Sequence, residues 1–380
     1  MKVERQGYAG PIKVQVENLP PGVTCQRSAT IPAGESALRL EFRTDGTAAE
    51  GTATVEVIAT ADTRTGDRQK LALLFPPKSV VSVKPPDPLP TTWKSLASMP
   101  TARSLLAAVT GPDGRIYAIG GENASGRLDI VEVYDPSTNT WAKAVPLPTA
   151  RNHLAATLGP DNLIYAIGGV SGIPEIVEAY NPRTNKWTTV AAMPTARHGL
   201  AAVTGPDGRI YAIGGSGSGV SLNTVEAYNP TTNTWATVAN MPTARAYLAA
   251  AMGPDGRIYA IGGFQEGNGK RLNTVEAYDT KTNTWTTVAS MPTARNALAA
   301  ATGSDGRIYA IGGHTVGGMP NTVEAYNPST NKWTTVASMP TVRGQLAAAT
   351  GRDGRIYVIG GGNAGFLNTV EALSFSTSKP

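Results

Sequence analysis

The stretch MPTARHGLAAVTGPDGRIYAIGG, which begins at Met193, recurs in close copies from Met99, Leu147, Met241, Met291 and Met339. The six tryptophans keep the same beat. Trp93, Trp141, Trp187, Trp235, Trp285 and Trp333 stand 48, 46, 48, 50 and 48 residues apart. A period of this size marks a repeat architecture, in which one unit cannot bury its own faces and must stack on its neighbours. Nothing before Trp93 shares the pattern, so the chain divides into a non-repeating start and an array from about Thr91 onward.

Each period reads as four short strands. LAAVTG at Leu200 leads through PDG into RIYAIGG, and an Asp-Gly pair between two apolar runs signals a tight hairpin. A stretch that differs in every copy follows the double glycine. NTVEAYNP at Asn223 then gives the third strand, and TTNTW turns into the fourth. No helical periodicity is present in the array. Radial packing of such sheets lets each face cover the next. The Ala-rich first strand suits crowding near an axis, and the Tyr and Trp of the later strands suit a wider outer part. The expected fold is therefore all-β, a propeller of six blades. The array opens in mid-repeat with TTWKSLASMP and closes with three strands that lack a fourth. Residues 91–98 are thus expected to complete the last blade. Leu373, where other copies have Tyr, makes that blade slightly irregular.

The series PTAR, IYAIGG, VEAYNP and Trp resembles the kelch repeat over about three quarters of the chain. That resemblance implies a six-bladed kelch-type β-propeller over 91–380. Residues 1–77 alternate apolar and polar side chains in PIKVQVENLPPGVT, SALRLEFRTD and TATVEVIATAD, a pattern that fits an antiparallel β-sandwich. Their LPPGVT, TIPAGES and GTATVEV resemble bacterial immunoglobulin-like modules. Residues 78–90 read as a stiff Pro-rich linker. Together the parts look like a piece of a secreted or cell-surface bacterial protein, although MKVERQGYAG lacks the apolar core of a signal peptide.

Composition removes several functions. The net charge of +5 is spread along the chain with no basic run, which argues against nucleic-acid binding. No apolar stretch reaches the length of a membrane span. One cysteine, Cys25, permits no intrachain disulfide and no Cys-rich metal site. Copper chemistry of the galactose-oxidase type needs a cysteine, and the propeller region has none. No nucleophile elbow, phosphate loop or paired-carboxylate motif is present. No cofactor and no metal are expected; His153, His198 and His314 fall in different repeats and are not expected to meet at one zinc ion.

Strand direction places the variable stretches after Gly-Gly on one rim with the PTAR connections, and the Asp-Gly turns on the other. Variable loops on a repetitive frame are where binding usually resides. Arg103, Arg151, Arg197, Arg245, Arg295 and Arg343 would ring the channel mouth as a carboxylate site. The structural alternative is repeated pairing between blades with the strand glutamates, Glu132, Glu178, Glu226, Glu276, Glu324 and Glu371, which are equal in number. Next to the arginines, Asn152, His153, His198, Tyr247, Asn296 and Gln345 form an expected polar and aromatic cup. Phe264 and Arg271 in the longest insert, with His314 beside them, add an expected exposed anchor. The functional expectation is a non-catalytic binding or scaffolding module that recognises a protein or glycan through this face, with neighbouring domains of a larger surface protein as further partners. The other expectation is a carbohydrate-active propeller, lectin-like or an isomerase resembling sialate mutarotases.

Overall fold

The computed structural model describes residues 91–375, together with the backbone of short strands before them. The chain divides into two compact units, Met1–Asp87 and Pro88–Pro380. In the first, Ile12–Glu17 pairs antiparallel with both Ser28–Ile31 and Glu56–Ala61, and Val23–Cys25 pairs with Phe42–Thr44. The expected sandwich over 1–77 and linker over 78–90 otherwise lie outside the described residues.

The second unit is a six-bladed propeller. Blade 1 is a four-stranded antiparallel sheet made of Ala107–Thr110, Ile116–Ile119, Val131–Asp135 and Thr140–Lys143. Blades 2 to 5 repeat that order from Ala155, Ala201, Ala249 and Ala299. Blade 6 takes Ala347–Thr350, Ile356–Ile359 and Val370–Phe375 from the end of the array and Thr91–Ser95 from its start. Leu373 faces Trp93 in that pairing, as Tyr228 faces Trp235 in blade 3. Among the described residues there is no helix, hence none long and apolar enough to cross a membrane.

Burial follows position along the radius. The second strand of every blade, IYAI or IYVI, is buried on both faces because sheets cover it on both sides. The first strand alternates between buried and half-buried, and the fourth is mostly exposed. Between blades, second-strand Tyr117 packs on third-strand Tyr180 with ring centres 5.7 Å apart, and Tyr165–Tyr228, Tyr211–Tyr278 and Tyr259–Tyr326 repeat the contact. Leu373 cannot continue the series, so Tyr309 packs against Phe375 instead, at 5.3 Å. Hydroxyls join the inner strands: Thr350 donates to the Thr302 carbonyl, and Thr110 to the Thr350 carbonyl across the junction of blades 6 and 1.

Candidate functional site

Two connections meet on one face. The residue after each PTAR arginine forms a β-bridge with the residue after Gly-Gly of the same blade: Ser104 with Glu122, Asn152 with Val170, His198 with Ser216, Ala246 with Phe264, Asn296 with His314 and Gly344 with Gly362. The second glycine allows this closeness. A Cβ on Gly121 would stand 2.6 Å from the Ser104 carbonyl oxygen.

The next residue of each connection closes the axis. Leu105, His153, Gly199, Tyr247, Ala297 and Gln345 each donate their backbone N–H to the equivalent carbonyl of the preceding blade, over 2.7 to 3.0 Å. The six bonds form an unbroken circle. All six residues adopt φ between 48° and 60°, and five of them are not glycine. Left-handed backbone at a non-glycine residue is costly and persists where surrounding structure enforces it, often at functional sites. Sequence reading missed this ring, since a position that accepts Leu, His, Gly, Tyr, Ala and Gln carries no residue signature. The ring and the leucines behind it line a cavity of about 80 Å³.

The arginines do not reach the mouth. All six guanidinium groups are buried and paired with the strand glutamates: Arg103–Glu132 at 2.9 Å, Arg151–Glu178 at 2.8 Å, Arg197–Glu226 at 2.8 Å, Arg245–Glu276 at 2.5 Å, Arg295–Glu324 at 2.6 Å and Arg343–Glu371 at 2.7 Å. Each pair lies inside one blade, not between blades. Arg197 Nη2 also donates to the Ala212 carbonyl and Nη1 to that of Thr224, so the arginine pins the incoming connection to the second and third strands of its own blade. Thr195 donates to the other oxygen of Glu226. Burial pulls Arg103 and Arg197 down to about 10, against the opposing pull of their glutamates, which leaves both charged at neutral pH.

Three of the expected cup residues come together. The rings of His153, His198 and Tyr247, from blades 2, 3 and 4, form a triangle with centres 5.7, 5.4 and 5.9 Å apart. Asn152 is buried; its Nδ2 donates to Glu122 Oε2 at 2.5 Å, and its Oδ1 lies 3.2 Å from His153 Nδ1. Burial, reinforced by His198, lowers His153 to about 4, and burial also lowers His198 against the pull of Glu266. Glu266 is held on blade 3 by Ser216 and Ser221. Gln345 contributes to the ring, while His314 sits on the far side, bridged to Asn296 and close against Gly344. Phe264 differs from the expected exposed anchor. It is half-buried because the Arg271 guanidinium lies 5.9 Å from its ring centre and Arg271 Nε donates to Asn296 Oδ1.

The exposed apolar side chains are elsewhere on the same rim. Ile173, Val220, Val316 and Phe366, from the variable stretches of blades 2, 3, 5 and 6, are 50, 60, 89 and 39% exposed, and Val342 in the last PTVR connection is also exposed. The opposite face contrasts with it. A larger hollow of about 680 Å³ opens there between blades 6 and 1, lined by Asp113, Arg115, Asp135, Arg352 and Asp353 among others. Its charges are already used: Arg115 pairs with Asp113, Arg355 with Asp353, and Arg352 donates to the Pro112 carbonyl. Size therefore favours that hollow, but unsatisfied apolar surface favours the variable rim.

The KLHDC2/KLHL20/DRC7 Kelch-repeats domain model matches residues 89–242 and again residues 237–379. The chain belongs to the kelch-repeat family. No curated protein matches it. A kelch propeller is a protein-interaction fold, and the rim just described is the part of this one that differs from blade to blade.

Proposed function

We propose that this kelch propeller is a non-catalytic protein-recognition module that engages its partner through the variable-loop rim. One observation carries the reading. Four blades each raise an exposed apolar residue on this rim, around a mouth where His153, His198 and Tyr247 stand together. Side chains that vary on a repetitive frame are where binding usually resides. The β-rich segment before the propeller suits a place in a larger secreted or cell-surface bacterial protein. The carbohydrate-active alternative, and a glycan as ligand, would rest on the axial cup, whose volume of about 80 Å³ is well below that of ordinary small-molecule sites.

The test is a mutational footprint on any partner recovered by proximity labelling. Val220→Asp with Val316→Asp should weaken binding by about tenfold or more, near 1.4 kcal/mol. Thr231→Asp, on the turn of the opposite face, should have no effect. A partner that responds to Thr231→Asp and ignores the rim variants overturns the proposal.

A further inference from the structure

The two carboxylates of the mouth are tied to the ring triangle from opposite sides. Glu122 accepts from the Asn152 Nδ2, and the Asn152 amide oxygen lies against His153 Nδ1. Glu266 accepts from Ser216, the residue bridged to His198, and its charge reaches both His198 and Tyr247. Serine hydroxyls and the backbone N–H of Glu266 bonding back to Ser221 hold this carboxylate inward, over blade 3, although its own loop belongs to blade 4. Of the two cations of that loop, Arg271 is turned the other way, toward Asn296 and Phe264, and Lys270 stands opposite Gln265 in the hairpin.

Glu122 has Arg127 opposite it across its hairpin, so the negative charge at the mouth rests mainly on Glu266. Burial keeps the imidazoles neutral, so they add aromatic faces and lone pairs but no positive charge. The Nδ1 of His198 is buried without a hydrogen-bond partner among the described residues. Carboxylates and an aromatic face are the groups that receive a cation, through charge-assisted hydrogen bonds and cation–π attraction. Exposed Ile173 and Val220, on the loops of blades 2 and 3, can cover the aliphatic stem of a long side chain.

We propose that the mouth between blades 2 and 4 receives a basic side chain, Lys or Arg, of the protein partner, held by Glu266 and Glu122 over the His153, His198 and Tyr247 rings. This rests on the rim being the binding face and adds the chemistry of the partner. It makes the partner a basic or apolar-basic segment.

A random dodecapeptide library selected in parallel on the whole protein and on its Glu266→Gln variant tests the proposal. Glu266→Gln keeps an acceptor for the serines and removes the charge. A second variant, Glu122→Gln, repeats the test from the other side. The chain has three histidines, all on this face, so imidazole NMR signals report directly where a selected peptide sits. The expected result is enrichment of Lys or Arg on the wild type, shifts of the His153 and His198 signals, and a loss of affinity of about tenfold on replacing that residue by norleucine. Both variants should abolish the enrichment. Peptides that move the imidazole signals without any basic preference would overturn the cation site and leave the rim standing. Enrichment of Asp or Glu would overturn it too. Failure to select any peptide that moves these signals would overturn both readings.

Discussion

Arg197 and Glu226 show what a single residue contributes to this frame. Their ion pair is buried, and the guanidinium also donates to the Thr224 and Ala212 carbonyls and to the Met193 sulfur. Removing one member of a buried pair leaves an uncompensated charge, at a cost of about 3–5 kcal/mol. Arg197→Met should therefore lower the melting temperature sharply, and adding Glu226→Leu should recover a good part of the loss. Gly199 is a second pressure point. Its φ is 60°, and a Cβ there would meet the Tyr247 ring at 2.8 Å. Gly199→Val should cost about 1–3 kcal/mol through backbone strain, measured by chemical denaturation, and displace the ring triangle as well. His153 gives the chain a predictable response to acid. Its native pKa, about 4, lies below the unfolded value near 6.5, so below that value the unfolded state takes up a proton that the native state refuses. Stability from this residue is complete above pH 6.5 and declines as pH falls toward 4; His153→Gln should flatten that part of the profile. Of these residues, the arginines and glutamates were legible as a set because their numbers match. Their pairing with each other was legible too, but its place within the blade was not. A sequence shows that six Arg and six Glu recur, but only the path of the connection decides that they pair within a blade and out of solvent.

At the scale of the strand, the outer strands of blades 1 to 5 are each fastened to the preceding blade by two side chains. Trp235 donates to the Ala191 carbonyl, and Asn233 accepts the N–H of the same alanine while also accepting the Tyr228 hydroxyl. Asn233 can do both because its left-handed backbone, φ 53°, turns the side chain back over the sheet. Asn233→Ala should leave two polar groups without a partner and cost about 1–3 kcal/mol, read from denaturant unfolding. The tryptophan joint occurs six times, Trp93 included. The asparagine joint needs an intact turn from third to fourth strand, and blade 6 has none because its outer strand comes from the start of the array. The four strands per repeat and this shared blade were legible from the period and the alternation. The joints were not, since TNTW reads only as a turn. Phe375 was likewise hidden: its value lies in replacing the ring missing at Leu373, across a junction that no local pattern reveals.

For the whole molecule, the ring is closed twice, by the backbone circle at the axis and by Thr91–Ser95 at the rim. The two closures do different work. The axial circle links every blade to its neighbour, whereas the rim closure covers the edge of Val370–Phe375. Deleting residues 91–98 should bare that edge and give dimers or aggregates on size-exclusion chromatography. A soluble, stable monomer beginning at Met99 would contradict this. Which rim varies was legible, because strand direction fixes the side on which each connection falls. How the rim is furnished was not: Glu266 serves blade 3 from a loop of blade 4, and that reach depends on the hairpin's conformation. The same seam also sets how the ring answers a pull. Thr91 lies opposite Phe375, and Ser95 opposite Glu371. A force entering at residue 91 and leaving at residue 375 acts on the near end of the antiparallel pair, so its hydrogen bonds part in succession and never share the load. The seam is a zipper with its slider at the point of tension, and blade 6 should open at low force while blades 1 to 5 are still locked.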